Sequence, residues 1–126
     1  PAVEGQPDPP QAPEDPEPDL EIDTEQLIAW LEENPDLVLV DIREPHELQH
    51  GHAEGALLLR MNDIPNRLDA LPAQETRLVI YCAAGSRSYG VTHWLREQGW
   101  ADTWSLTSGF SGAVKAGRTV IRPEPA

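Results

Sequence analysis

Two short apolar runs, Leu37-Val38-Leu39-Val40 and Leu78-Val79-Ile80-Tyr81, most narrow what this chain can fold into. Each is a continuous block with no polar position to turn toward water, the pattern of a strand covered on both faces. The segments around them repeat at helical spacing. Asp23 with Gln26 forms a capping signature ahead of Leu27, Ile28 and Leu31, and Asn34-Pro35 closes that helix. A second helix, from Ser86 or Arg87 to Gln98, carries Val91, Trp94 and Leu95 on one face, with Gly99 placed for a C-terminal cap. Strands joined through helices pair in parallel, because a parallel connection needs a crossover. The expected fold class is α/β, a sandwich built on a parallel sheet.

Shorter signals fill in the order. Ala56 to Leu59 and Thr103-Trp104-Ser105-Leu106 read as further strands. Glu44 to Gln49 reads as a short helix with Pro45 near its start, stopped by Gly51. Asp63 is placed to cap a helix through Ile64, Leu68 and Leu71, closed by Pro72, and a last short helix is expected near Phe110 to Ala116.

The charge is uneven. The chain of 126 residues carries 22 acids against 9 bases, a net −13. Nine of those acids, and no base, lie in the first 25 positions, and seven of the 13 prolines fall between Pro1 and Pro18. Such a stretch cannot bury enough apolar surface to offset its ordering entropy. Residues 1–19 are therefore expected to be a disordered tail or linker, residues 20–122 one domain, and residues 123–126 a flexible C-terminus. The acidic balance argues against nucleic acid and anionic membranes as partners. No run approaches the roughly 18 apolar residues of a membrane span. A single cysteine excludes an internal disulfide framework and any multi-cysteine zinc or iron–sulfur site. No cofactor is expected. A cytoplasmic monomer or weak dimer is expected, with a periplasmic protein that has lost a leader as the alternative.

That cysteine, Cys82, follows the second apolar run in Tyr81-Cys82-Ala83-Ala84-Gly85-Ser86-Arg87-Ser88. It stands where a strand gives way to a tight loop and then a helix. Backbone N–H groups converge at such a turn, and the helix dipole favours negative charge there. A thiol so placed is expected to ionise below the roughly 8.5 of a free cysteine and to act as a nucleophile. Cys82 and Arg87 are separated by four residues. Cysteine-based phosphatases enclose phosphate with one residue more, so the smaller ring suits a smaller anion, such as the terminal sulfur of a persulfide. Gly85 allows a left-handed turn within it. Ser86 and Ser88 read as helix caps or loop supports. Arg87 reads as a loop anchor that pairs with Asp41 or Glu47, or else as a donor-binding group. Asp41, like Cys82, ends a strand, where open parallel sheets bind ligands. Asp41 and Arg43 read as local hydrogen-bonding groups rather than acid–base catalysts. His46, His50 and His52 have a spacing that could suit a metal, but Gly51 breaks any helix presenting all three, so no metal site is expected.

Four segments in order resemble the rhodanese-like sulfurtransferases, over nearly all of residues 20–120: Leu39-Val40-Asp41-Ile42-Arg43 with Glu47, Gly51-His52-Ala53-Glu54-Gly55-Ala56, Cys82 to Ser88, and Ser108-Gly109-Phe110. The resemblance implies the rhodanese-like fold, a three-layer α/β sandwich whose central parallel sheet of about five strands has helices on both faces, and transfer of sulfane sulfur through a Cys82 persulfide. The donor would be thiosulfate or a persulfide, and the acceptor a thiol, a protein or another nucleophile. Ala83, Ala84, Gly85, Ser86, Arg87 and Ser88 would form the active-site loop. Asp41, Arg43, Glu47 and His52 would support it, His52 by hydrogen bonding within its turn. A non-catalytic docking or regulatory module on the same fold is the alternative. The chain departs from the family pattern in three places. Ala83 and Ala84 leave a thiosulfate dianion no cation beside the cysteine. Ser108 replaces a glycine while Ala113 stands where tryptophan is usual, so that corner is expected to pack differently. Ala53 replaces a larger apolar residue.

Overall fold

The computed structural model describes residues 20–84, 86–117 and 120–121. The expected tail at 1–19, Gly85 and the expected C-terminal segment at 123–126 lie outside the described residues. In chain order the elements are β1 (Glu21–Ile22), α1 (Thr24–Glu33), β2 (Val38–Asp41), α2 (Pro45–Leu48), β3 (His52–Ala53), β4 (Leu57–Leu58), two 3₁₀ turns (Met61–Asn66 and Leu68–Ala70), β5 (Leu78–Tyr81), α3 (Ser86–Glu97), β6 (Thr103–Leu106), α4 (Gly109–Lys115) and β7 (Val120–Ile121).

Five strands form one sheet in the order β1-β6-β5-β2-β4, every neighbouring pair parallel. The two apolar runs are the centre of it: Val40 stands opposite Ile80, and Asp41 opposite Tyr81. Burial of each such aliphatic side chain stabilises the fold by about 1.5–3 kcal/mol. A strand alternates its faces, so the sheet divides the core in two. Val40, Ile42, Leu78, Ile80 and Cys82 pack with Val91 and Leu95 of α3 and with Ile64 of the 3₁₀ turns. Leu39, Val79 and Tyr81 pack on the other face with Leu27 of α1 and Ala113 of α4. The three-layer α/β expectation holds.

Local signals explain most boundaries. Asp23 accepts a hydrogen bond from the Gln26 N–H at 2.8 Å and starts α1, and Asn34 ends it. Gly99, at φ 112°, follows the end of α3. The helix expected from Asp63 is absent. Asp63 instead lies inside the first 3₁₀ turn, paired with Arg60 at 2.9 Å. Pro65 has no N–H to continue an α-helical ladder, so the segment closes as two short turns. Three two-residue strands had no visible signal: β1 on the sheet edge, and β3 with β7, which pair antiparallel as His52 with Ile121 and Ala53 with Val120. Among the described residues no helix is long and apolar enough to cross a membrane.

Candidate functional site

β5 runs out at Tyr81, and Cys82 is the first residue beyond the central strand of the sheet. Its thiol is fully buried at 0% exposure, on the α3 face of the sheet. Ala83 and Ala84, which follow, are exposed, and α3 begins at Ser86. The loop is braced from behind by α4. The Phe110 N–H donates to the Cys82 carbonyl at 2.9 Å. Gly109 sits at φ 63° with its Cα against the Cys82 and Ala83 carbonyls, where any Cβ would overlap the Ala83 backbone. A side chain there is barred both by conformation and by space.

The front of the loop is tied to α2. Arg87 donates from Nη1 to Glu47 Oε1 at 2.7 Å and from Nη2 to Glu47 Oε2 at 2.9 Å. Glu47 Oε1 also accepts the Glu44 N–H at 3.0 Å. The Arg87 bonds are the chief reason that the Glu47 carboxyl is held down to about 2, against the opposing effect of its burial. The same bonds raise Arg87, and the Cys82 sulfur beside it acts in the same direction. Of the two partners open to Arg87, the chain uses Glu47.

Asp41 is engaged elsewhere. It stands opposite Tyr81, so its side chain takes the face away from Cys82, although both residues lie at the same end of adjacent strands. Both Asp41 oxygens bind Arg43, with Nη2 to Oδ2 at 2.8 Å and Nε to Oδ1 at 3.0 Å. Arg43 also donates to the Gly51 carbonyl at 2.6 Å and lies 4.2 Å from the Phe110 ring centroid. Burial is the largest single influence and works against the Arg43 charge, but its bonds to Asp41, the Asp41 charge and smaller effects of Tyr81 and Glu47 together offset it, leaving Arg43 above its ordinary value. This buried fork ties the end of β2 to the Gly51 turn and to α4. His52 Nδ1 bonds the Ala53 carbonyl at 3.0 Å, within its own turn. Among the described residues no three metal-ligating side chains gather.

The sequence model of the Rhodanese-like domain matches residues 23–116. The chain belongs to the rhodanese-like family. A sulfurtransferase of Allochromatium vinosum is 38% identical over 104 residues, covering 82% of this chain and 96% of the relative. The thiosulfate sulfurtransferase GlpE of Tolumonas auensis is 31% identical over 87 residues, 69% of this chain and 81% of its own. Among solved structures, a rhodanese-like domain protein of Staphylococcus aureus superposes with a TM-score of 0.70 at 27% identity, covering 81% of this chain and 98% of its own.

The departures from the rhodanese-like pattern have local explanations. Ser108 bonds Thr24 on α1 at 2.6 Å, and it leaves no room for a Cβ on Gly112. Ala113 and Ala53 are both fully buried in the cluster that holds Tyr81 and Leu106, and the Ala53 N–H donates to the Tyr81 hydroxyl at 3.0 Å. Small residues let α4 and β3 approach the sheet closely there. Two site residues escaped the sequence reading. Gly109 was seen only as part of a motif, and its contact with the loop needs the fold. Ser105 lies inside the short strand β6, where nothing in the sequence marked it apart from Thr103.

Proposed function

We propose that this chain is a sulfurtransferase that carries sulfane sulfur on Cys82. The observation that carries the reading is a lone thiol held at the end of the central strand, with Arg87 and Ser88 of α3 against it, in a rhodanese-like domain whose relatives are named sulfurtransferases. The Cys82 thiolate attacks the outer sulfur of the donor. A new S–S bond forms, the donor's own bond to that sulfur breaks (S–S in thiosulfate or a persulfide, C–S in mercaptopyruvate), and its electron pair leaves with the donor remnant. A second nucleophile then takes the terminal sulfur, and the Cys82 thiolate leaves with its electron pair. The cycle is ping-pong and needs no cofactor. Loop N–H groups from Ala83 to Ser88 stabilise the charged terminal sulfur, and Arg87 positions the loop.

The charges around the loop favour a persulfide donor over thiosulfate. Arg87 is committed to Glu47 and Arg43 to Asp41, while Ala83 and Ala84 present no charge. A dianion finds no uncommitted cation among these groups. Protein thiols or small thiols are the proposed acceptors.

The test is intact mass after exposure to a panel of donors: thiosulfate, mercaptopyruvate and low-molecular-weight persulfides. A gain of roughly 32 Da, reversed by thiol and absent in Cys82→Ser, is expected, with persulfides loading fastest. No adduct from any donor would overturn the reading and leave a docking module. Fastest loading by thiosulfate would overturn the donor assignment alone.

A further inference from the structure

Behind Cys82 lies a chain of two buried serine hydroxyls. Cys82 Sγ lies 3.6 Å from Ser88 Oγ on α3, and Ser88 Oγ lies 2.7 Å from Ser105 Oγ on β6. All three residues are at 0% exposure. Ser105 is held in place by ladders on both sides. It stands opposite Ile80 of β5, and its N–H donates to the Leu20 carbonyl at 2.8 Å. Burying a hydroxyl is costly unless it is bonded. One turn along α3, the Thr92 hydroxyl is equally buried and has no hydrogen-bond partner among the described residues.

We propose that Ser105 is a positioning residue for Cys82: acting through Ser88, it lets one buried chain of hydroxyls satisfy both the thiol and the thiolate. In the resting protein the thiol S–H donates to Ser88, and the Ser88 O–H donates to Ser105. When Cys82 ionises, its S–H bond breaks, the electron pair stays on sulfur and the proton leaves to water. The thiolate is now only an acceptor. Both hydroxyls rotate about their Cβ–Oγ bonds: Ser105 donates to Ser88, and Ser88 donates to the sulfur. No heavy atom moves and no other covalent bond changes. The same reversed chain serves the persulfide, whose inner sulfur has no hydrogen to donate. Without Ser105, the Ser88 hydroxyl loses its bond to β6.

The charged groups about the loop are Arg87 of α3, Glu47 of α2 and the Asp41–Arg43 pair at the end of β2, with Lys115 at the far end of α4. β6 carries none. Serine variants therefore alter the hydrogen bonding of the sulfur and leave these charges in place. The inference rests on Cys82 being the acting sulfur, but its test reads thiol titration rather than turnover. Failure of this inference and failure of the proposed activity are thus separately visible.

Because the chain has one cysteine, the pH dependence of its alkylation rate by iodoacetamide reports Cys82 alone. Ser88→Ala is expected to move the midpoint upward by on the order of one pH unit, as loss of a hydrogen bond to a charged group requires. Ser105→Ala is expected to move it upward by about half as much, with Ser105→Thr restoring the original midpoint. The double variant is expected to match Ser88→Ala, since Ser105 acts only through Ser88. Thr92→Val controls for a change of buried polarity on the same helix and is expected to leave the midpoint in place. An unmoved midpoint in Ser105→Ala, or shifts that add in the double variant, would overturn the proposal. Should Ser105→Ala not fold, a midpoint in Ser105→Thr away from the original would also overturn it.

Discussion

Replacing Glu47 by Gln removes the charge that holds the front of the Cys82 loop while keeping the shape of the side chain. The folded carboxyl sits at about 2 against an ordinary 4.5, chiefly through the two Arg87 hydrogen bonds. At about 1.36 kcal/mol per pH unit that fall has a ceiling of roughly 3.4 kcal/mol. Glu47 and Arg87 keep 22% and 31% of their side chains in water, so solvent screening brings the expected loss to about 1.5 kcal/mol. For a domain of this size that is a fall in Tm of roughly 6–12 °C, read by circular dichroism at pH 7. The pH dependence carries a sign. The folded pKa lies below the unfolded one, so the contribution of Glu47 is complete above about 4.5 and disappears as pH falls through about 2. The gap in Tm between the parent and Glu47→Gln should therefore be constant from pH 7 to 5 and narrow steadily below that. Equal Tm values at pH 7, or a gap that persists unchanged at pH 3, would refute the view that this ion pair holds the loop.

Other substitutions probe the remaining supports. Glu47→Gln should also raise kcat/KM for thiosulfate relative to an organic persulfide by roughly tenfold, the worth of about 1.4 kcal/mol from a released guanidinium, measured as the ratio of the two donors in one preparation. Gly109→Ala meets both a φ of 63° and the Ala83 backbone, and should lower stability by about 2 kcal/mol in urea denaturation while changing the Cys82 alkylation rate. Asp41→Asn strands the buried Arg43 charge and should cost about 3 kcal/mol in the same assay, at the low end for breaking a buried pair. Thr92→Val removes a buried hydroxyl without a partner and should raise stability by about 1 kcal/mol.

Where burial is continuous, as at Leu78–Tyr81, the apolar run and the strand coincide, because every side chain needs cover. At the first run the strand is displaced by one residue to Val38–Asp41, since Asp41 continues the ladder through pairing with Leu58 and Tyr81 despite its charge. Two-residue strands such as β3 and β7 have no period to detect, and their pairing depends on residues nearly 70 positions apart. The site divides in the same way. The place of Cys82 just beyond a buried strand was legible from the apolar run before it, and an acidic partner for Arg87 was legible because a buried charge needs one. The choice between Asp41 and Glu47 as the partner of Arg87 was not legible. It follows from strand alternation, which turns Asp41 to the Tyr81 face, and from α2, which aims Glu47 back at the loop. Ser105 was hidden for a related reason: a serine within a strand has meaning only once α3 is laid across it.

Set together, the two arginine forks bear on the persulfide donor proposed for this loop. Each guanidinium makes two short bonds to one carboxylate, so each pair is near neutral and contributes rigidity rather than net attraction. Rigidity is what a ring of N–H donors needs, since donors fixed in advance stabilise an anion without reorganising. A terminal persulfide sulfur on Cys82, as proposed, would carry one charge and be tethered, so it would need preorganised donors and no long-range pull. A free thiosulfate dianion must instead be drawn from water, and that favours an uncommitted cation at the entrance. Ala83 and Ala84 stand exposed there without charge, so under the proposed reading a persulfide donor would be bound by groups other than a cation of the loop.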